Sequence, residues 1–165
     1  MMVEARAVKF GDNVDTDVIL PGKYLVLTDP VELAKHAMEG ILPDFASKSA
    51  DGVVVVAGKN FGQGSSREHA PIALKAAGVR CVIAKSLARI FYRNSINIGL
   101  PALECPEILT AVNDGDKLLV DLQRGEIRNV TTRASVRAQP IPDNLLNILN
   151  DGGIIEHLKR KRAHK

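Results

Sequence analysis

Apolar side chains occupy alternate positions in EARAVKF near the N-terminus, the pattern of a strand with one buried face. GDNVDTD follows as turn chemistry, with Gly11, Asp12, Asn13 and two further carboxylates at Asp15 and Asp17. VILPGKYLVLTDP is apolar but interrupted by Pro21 and Gly22, which predicts a short strand and an exposed loop in place of a helix. Asp29 and Pro30 then supply an N-cap and a first helical residue, so the spacing predicts a helix over 29–38.

In DGVVVVAGKN the alternation disappears, and consecutive valines predict a strand covered on both faces, as in a parallel or mixed sheet. APIALKAAG reads as a helix closed by Gly78, and VRCVIAK as a second buried strand. Strand, glycine loop, helix and strand make a βαβ unit, whose handedness puts the loop at the carboxyl end of the first strand. SLARIFYRNSINIG predicts another helix, with Leu87, Ile90, Phe91 and Ile98 on one face. DGDKLLVDLQRGEIRNV has hairpin form, and DNLLNILNDGGIIEHLKRKR predicts one or two helices broken at Gly152 and Gly153.

The 165 residues suit one domain, 1–165. At 45% hydrophobic and 25% charged the composition is that of a soluble globular chain, and no apolar run approaches the roughly 20 residues of a membrane helix. MMVEARAVKF lacks a charged leader followed by an apolar block, so a cytoplasmic location is expected and no membrane partner. The net charge of +3 owes much to LKRKRAHK, residues 158–165, with five Lys or Arg. With aromatics at 4%, this reads as a solvated, disordered terminus, and no nucleic-acid partner is expected. Cys81 and Cys105 lie 24 positions apart without a CxxC pair, so neither completes a metal or cluster site within the chain. Cys81, in VRCVIA, is read as a buried structural thiol.

One stretch is left over: GKNFGQGSSREHAP, residues 58–71. It is not a P-loop, since Gln63, Gly64, Ser65 and Ser66 stand where Lys and Ser or Thr are required. It also fails the dinucleotide fingerprint, having Arg67 at the third glycine. Ser65 and Glu68 have capping-box spacing, yet Pro71 argues for a short irregular turn before the helix proper. A structural cap and an anion site both remain open on these residues. Amides at a helix start, two hydroxyls and the Arg67 guanidinium could bind a carboxylate or hold an ionised serine. His69 is not obviously placed to serve Ser65 as a base, so a hydrolase triad gains little support.

FGQGSSREHAPIALKAAGVRCVIAKSLARIFYRNSINIGLPALEC resembles the swivel domain of the aconitase superfamily, and GDNVDTDVILPGKYL resembles a second block of the same family. The likeness spans Val8 to Cys105, and with the chain length it is similar to the separate small subunits of isopropylmalate isomerases. It implies an α/β, swivel-like β/β/α domain with a mixed, largely parallel sheet. Such a domain closes over a large subunit that bears a four-iron four-sulfur cluster, whose open iron acts as a Lewis acid. The cofactor would lie in that partner and none in this chain; self-association of the isolated chain is left open. By the same resemblance Ser65 is the base that removes a proton alpha to a carboxylate, Arg67 binds a substrate carboxylate, and Ser66 and Gly64 support it. Asp17 is the acidic residue taken to shape the site. Homoaconitase small subunits carry an arginine in the loop that reads here YLVLT, 24–28, so Val26 and Leu27 imply apolar contact with an isopropyl group. The implied reaction converts 2-isopropylmalate to 3-isopropylmalate through 2-isopropylmaleate. The alternatives are a homoaconitase or broad-specificity small subunit, or a stand-alone anion-binding module that needs no partner.

Overall fold

The structure is a computed structural model and describes residues 1–165. Seven strands form it: β1 (Met2–Lys9), β2 (Val53–Ala57), β3 (Val79–Ala84), β4 (Ala102–Glu104), β5 (Lys117–Asp121), β6 (Glu126–Asn129) and β7 (Ser135–Arg137). Their order in one sheet is β4-β3-β2-β1-β5-β6-β7. The sheet is mixed, as expected: β1 to β4 run parallel, and β5, β6 and β7 add antiparallel strands to the other side of β1.

The helices are α1 (Thr16–Ile19), α2 (Pro30–Ala34), α3 (Phe45–Ser49), α4 (His69–Ala77), α5 (Arg89–Asn97), α6 (Ile108–Ala111), α7 (Asp143–Asn150) and α8 (Ile154–Ala163). They cover both faces of the sheet, and the valine run explains why. Val53, Val55 and Ala57 enter one core with Leu33, Phe45 and Leu74 of α2, α3 and α4. Val54 and Val56 enter a second core with Ile108 and Leu146 of α6 and α7. A strand with a core on each side has no polar face, which is why its sequence does not alternate.

The βαβ unit appears as β2, α4 and β3, with Gly78 closing α4 at φ +116 and its amide donating to Leu74 and Lys75 carbonyls. The hairpin is β5 and β6, turned at Gly125. Four local expectations differ. VILPGKYLVL holds no strand; it forms α1, then a single 3-10 turn at Gly22–Tyr24. The helix expected over 29–38 starts as read, with Asp29 accepting from the Val31 amide, but ends at Ala34. Met38 turns to φ +59 and donates to the Ile19 carbonyl at 2.8 Å, so a tertiary bond takes the amide a longer helix would have used. On α5, Ile90 is half exposed and Phe91, Ser95 and Ile96 are buried, because Phe91 joins the first core and Ile96 the second. Where a disordered terminus was expected, α8 continues to Ala163, clamped by Asp151, which meets Arg160 at 2.8 Å and His157 at 2.7 Å.

Candidate active site

Because β1 and β2 are parallel neighbours with Val8 opposite Val55, the loops after them leave the same edge of the sheet. They interleave. Gly58 donates to the Gly11 carbonyl at 3.0 Å, Lys59 to Asp12 Oδ1 at 2.7 Å, and Asn13 to the Lys59 carbonyl at 2.8 Å. Further along, Gly62 donates to Val14 and Thr16 to Gln63, each at 2.8 Å. Asn13 and Asn60 both adopt left-handed backbone, a conformation asparagine tolerates, and their side chains meet at 3.0 Å. Asp12 and Asp15 are thus structural: Asp15 caps α1 by accepting from Val18 at 2.8 Å. Gly62 is required by close approach, since a Cβ there would stand 2.2 Å from Phe91 Cγ.

Beyond this zipped region the chain loosens at the serines. Gly64 has φ +104, and α4 does not begin until His69. The Ser65–Glu68 capping box does not form: Glu68 holds the N-cap position and no side chain caps the helix. Pro71 is the third residue of α4, where an amide would lack a helical partner in any case. None of the amides from Gly64 through His69 donates to a backbone carbonyl. A run of unengaged donors at the start of a nine-residue helix is a natural cradle for an anion.

The guanidinium beside this cradle is held from a different part of the sequence. Arg67 Nη1 lies 3.3 Å from Asp17 Oδ1, which also accepts from the Gly22 amide at 2.9 Å. The arginine side chain is 21% exposed and the aspartate 69%, so the pair contributes about 0–1 kcal/mol and serves chiefly to aim the guanidinium. The N–H groups of Arg67 not used on Asp17 remain for a ligand.

A cleft of about 250 Å³ runs along this turn, lined by Thr16, Gly64, Ser65, Arg67, Arg89 and Asn94 among others. Three of the residues singled out from sequence, Gly64, Ser65 and Arg67, therefore share one wall. Ser66 is exposed beside them, and Asp17 reaches the cleft through Arg67. Val26 and Leu27 are not in its wall: Val26 is 83% exposed at the apex of its loop, and Leu27 packs partly buried against the first core. Thr16, Arg89 and Asn94 were not read as site residues. Nothing in the sequence set them apart from the other polar residues around them: Thr16 stands between two aspartates, and Asn94 between Arg93 and Ser95.

The side chains present do not suit an iron-sulfur cluster held by this chain. No group of three or more His, Cys, Asp or Glu lies together, and both cysteines sit in the second core, across the sheet from α4. Burial pushes both thiols above their usual pKa, the opposite of what a thiolate ligand needs.

Residues 41–108 match the family described as the aconitase C-terminal domain. A 3-isopropylmalate dehydratase small subunit from Halothermothrix orenii is 55% identical over 99% of both chains. Small subunit 1 of the same enzyme from Methanopyrus kandleri is 54% identical over 97% of this chain and 94% of the relative. An isopropylmalate/citramalate isomerase small subunit from Methanocaldococcus jannaschii is 54% identical over 98% and 96%. The crystal structure of a 3-isopropylmalate dehydratase from that organism superposes with a TM-score of 0.93 at 46% identity, covering 99% of this chain and 96% of the other. Sharing about half or more of its residues and its chain path with these proteins over nearly their whole length, the chain belongs to the family of 3-isopropylmalate dehydratase small subunits, hydro-lyase components of the aconitase superfamily.

Proposed function

We propose that this chain, assembled with a large subunit in the cytoplasm, interconverts 2-isopropylmalate and 3-isopropylmalate through 2-isopropylmaleate in leucine biosynthesis. The observation that carries the reading is the wall shared by Gly64, Ser65 and an Arg67 aimed by Asp17, on a turn whose amides have no backbone acceptor. A serine hydroxyl is a poor base in water, and oriented donors with a nearby guanidinium are what favour its alkoxide. Ser65 Oγ, so held, takes the proton from the carbon alpha to a carboxylate and returns it on the reverse pass. Arg67 binds that carboxylate with the donors Asp17 leaves free, the Ser66 hydroxyl or amide adds a further bond, and Gly64 lets the backbone turn the amides inward. The cluster that the superfamily implies belongs to the large subunit and supplies Lewis-acid assistance to the departing hydroxyl.

Alkyl specificity is assigned to the loop bearing Val26 and Leu27, which carries no arginine or other cation between Tyr24 and Thr28 to pair a third carboxylate. The M. jannaschii relative named for both isopropylmalate and citramalate favours a broader second reading. Citramalate bears a methyl where 2-isopropylmalate bears an isopropyl group. Losing two carbons of apolar contact would cost about 1.6 kcal/mol, roughly 15-fold in kcat/KM, so both acids would turn over.

The test is Ser65→Ala, assayed anaerobically with the large subunit. The expected loss in kcat is about 10²- to 10⁴-fold with little change in KM. Near wild-type turnover would remove Ser65 as the base, and full activity of the isolated chain would remove the two-subunit reading.

A further inference from the structure

The 22–28 loop is tied down at two places. At its start, Gly22 donates to Asp17 Oδ1, the oxygen that also meets Arg67. Two residues later Tyr24 lies flat on His36, with ring centroids 3.7 Å apart and planes 8° apart. His36 Nδ1 is 2.9 Å from Glu39 Oε2. The Glu39 carboxylate also pushes the pKa of the Tyr24 phenol up. Burial alone would raise the Glu39 carboxyl, but Tyr24, His36 and Lys23 outweigh it and hold it below the usual range.

Beneath these side chains the turn is fixed. Met38, fully buried between His36 and Glu39 in sequence, donates to Ile19 at 2.8 Å and accepts from Leu42 at 2.9 Å. Above them the loop has few backbone bonds: from Val26 to Asp29 only the Leu27 amide donates to a backbone carbonyl, that of Tyr24, at 3.0 Å. Val26 is thus held by Leu25 and Leu27, which pack partly buried against the first core on either side of it, and by the backbone bond to Tyr24.

We propose that Tyr24, His36 and Glu39 form a positioning cluster that sets where the Val26 apex stands relative to Arg67, and hence how closely the substrate's alkyl group is gripped. The inference rests on the reading of this loop as the alkyl contact. These residues act through the loop and touch neither the reacting carbon nor the carboxylates.

The experiment is His36→Ala in the reconstituted two-subunit enzyme, followed by deuterium exchange of loop amides and by steady-state kinetics. Exchange at Leu27 should rise about tenfold. KM for isopropylmalate should rise about fivefold, with kcat within about twofold of wild type. His36→Phe, which keeps the stacked ring, should restore most of both losses. If His36→Ala disturbs assembly, Glu39→Gln carries the same expectation with side-chain size preserved. Unchanged exchange overturns the proposal, and so does faster exchange with an unchanged KM. Full turnover by Ser65→Ala would instead sink the base assignment and leave the exchange result standing.

Discussion

Gly64→Ala separates a conformational requirement from a spatial one. The new Cβ would meet Thr16 Oγ1 at 3.2 Å and Asp15 Cβ at 3.8 Å, so a small shift makes room for it. The difficulty is φ +104, which an L-residue adopts at a penalty of about 1–3 kcal/mol. Gly115 is the control: it has φ +86, nothing within 4 Å of a Cβ, and a place in the turn before β5, outside the cleft. Gly115→Ala should lose a similar amount, and for a chain of this length both variants should melt about 2–10 °C lower. Only at residue 64 does relief of the strain rotate backbone that lines the cleft. Losing one well-aimed donor at a developing charge weakens catalysis about 10²-fold, so kcat/KM of Gly64→Ala should fall about 10- to 100-fold, and that of Gly115→Ala by less than about twofold. The readouts are thermal unfolding of each variant and the ultraviolet absorbance of the unsaturated intermediate in the reconstituted enzyme. Equal melting losses with full activity in both would refute the assignment of the 64–69 amides to substrate.

Other consequences follow from the same geometry. Arg67→Lys keeps the charge near Asp17 but loses the fork that matches a carboxylate, so KM should rise about 10-fold or more, and an unchanged KM would show that the guanidinium does not touch substrate. Asp116 is buried and accepts from the Asn129 amide at 2.7 Å and the Asn113 backbone at 2.8 Å. The Asn129 bond foremost, with the Asn113 amide and Lys9, holds its carboxyl below the usual aspartate range. A lowered folded-state pKa stabilises above the unfolded value of about 3.9 and is lost as pH falls through the folded value. The melting gap between wild type and Asp116→Asn should accordingly narrow on acidification below about pH 4, and a gap constant from neutral to acid pH would contradict the hydrogen-bond geometry. Cys81 and Cys105, buried with raised thiol pKa, should react with a thiol reagent only at the rate of unfolding; fast labelling of the native chain at neutral pH would count against it.

The periodic parts of the fold were legible in the sequence because their burial is local and repetitive. Four valines in a row can be buried only with a core on each side, and Gly78 after a helical pattern closes that helix wherever the sheet lies. Within 14–40 the helix start at Asp29 was legible, while the strand expected in VILPGKYLVL and the length of α2 were misread because distant partners decide them. Four residues form α1 since Thr16 is held by Gln63, and α2 stops since Met38 is taken by Ile19. The site was legible in its residue types but not in its assembly. Arg67 and Asp17 are 50 positions apart, and only the parallel pairing of β1 with β2 makes their loops neighbours. Pro71 pointed correctly to an irregular turn ahead of α4, because the absence of an amide is a local fact. Arg89 and Asn94 escaped notice because α5 was read by its apolar residues alone, while the cleft is lined by Arg89 and Asn94 together with Ile90 and Phe91.

The interlocking of residues 11–16 with 58–63 bears on how this enzyme can be re-engineered. Most of these bonds use backbone groups of 58–63 that any replacement segment would bring, whereas the Asn13–Asn60 contact needs a side chain from each partner, so that pair is where a cassette carrying only a relative's glycine segment would meet a mismatch. Chimeras that aim to retune selectivity should keep residues 13 and 60 matched and can treat the backbone bonds of the seam as indifferent to side-chain identity.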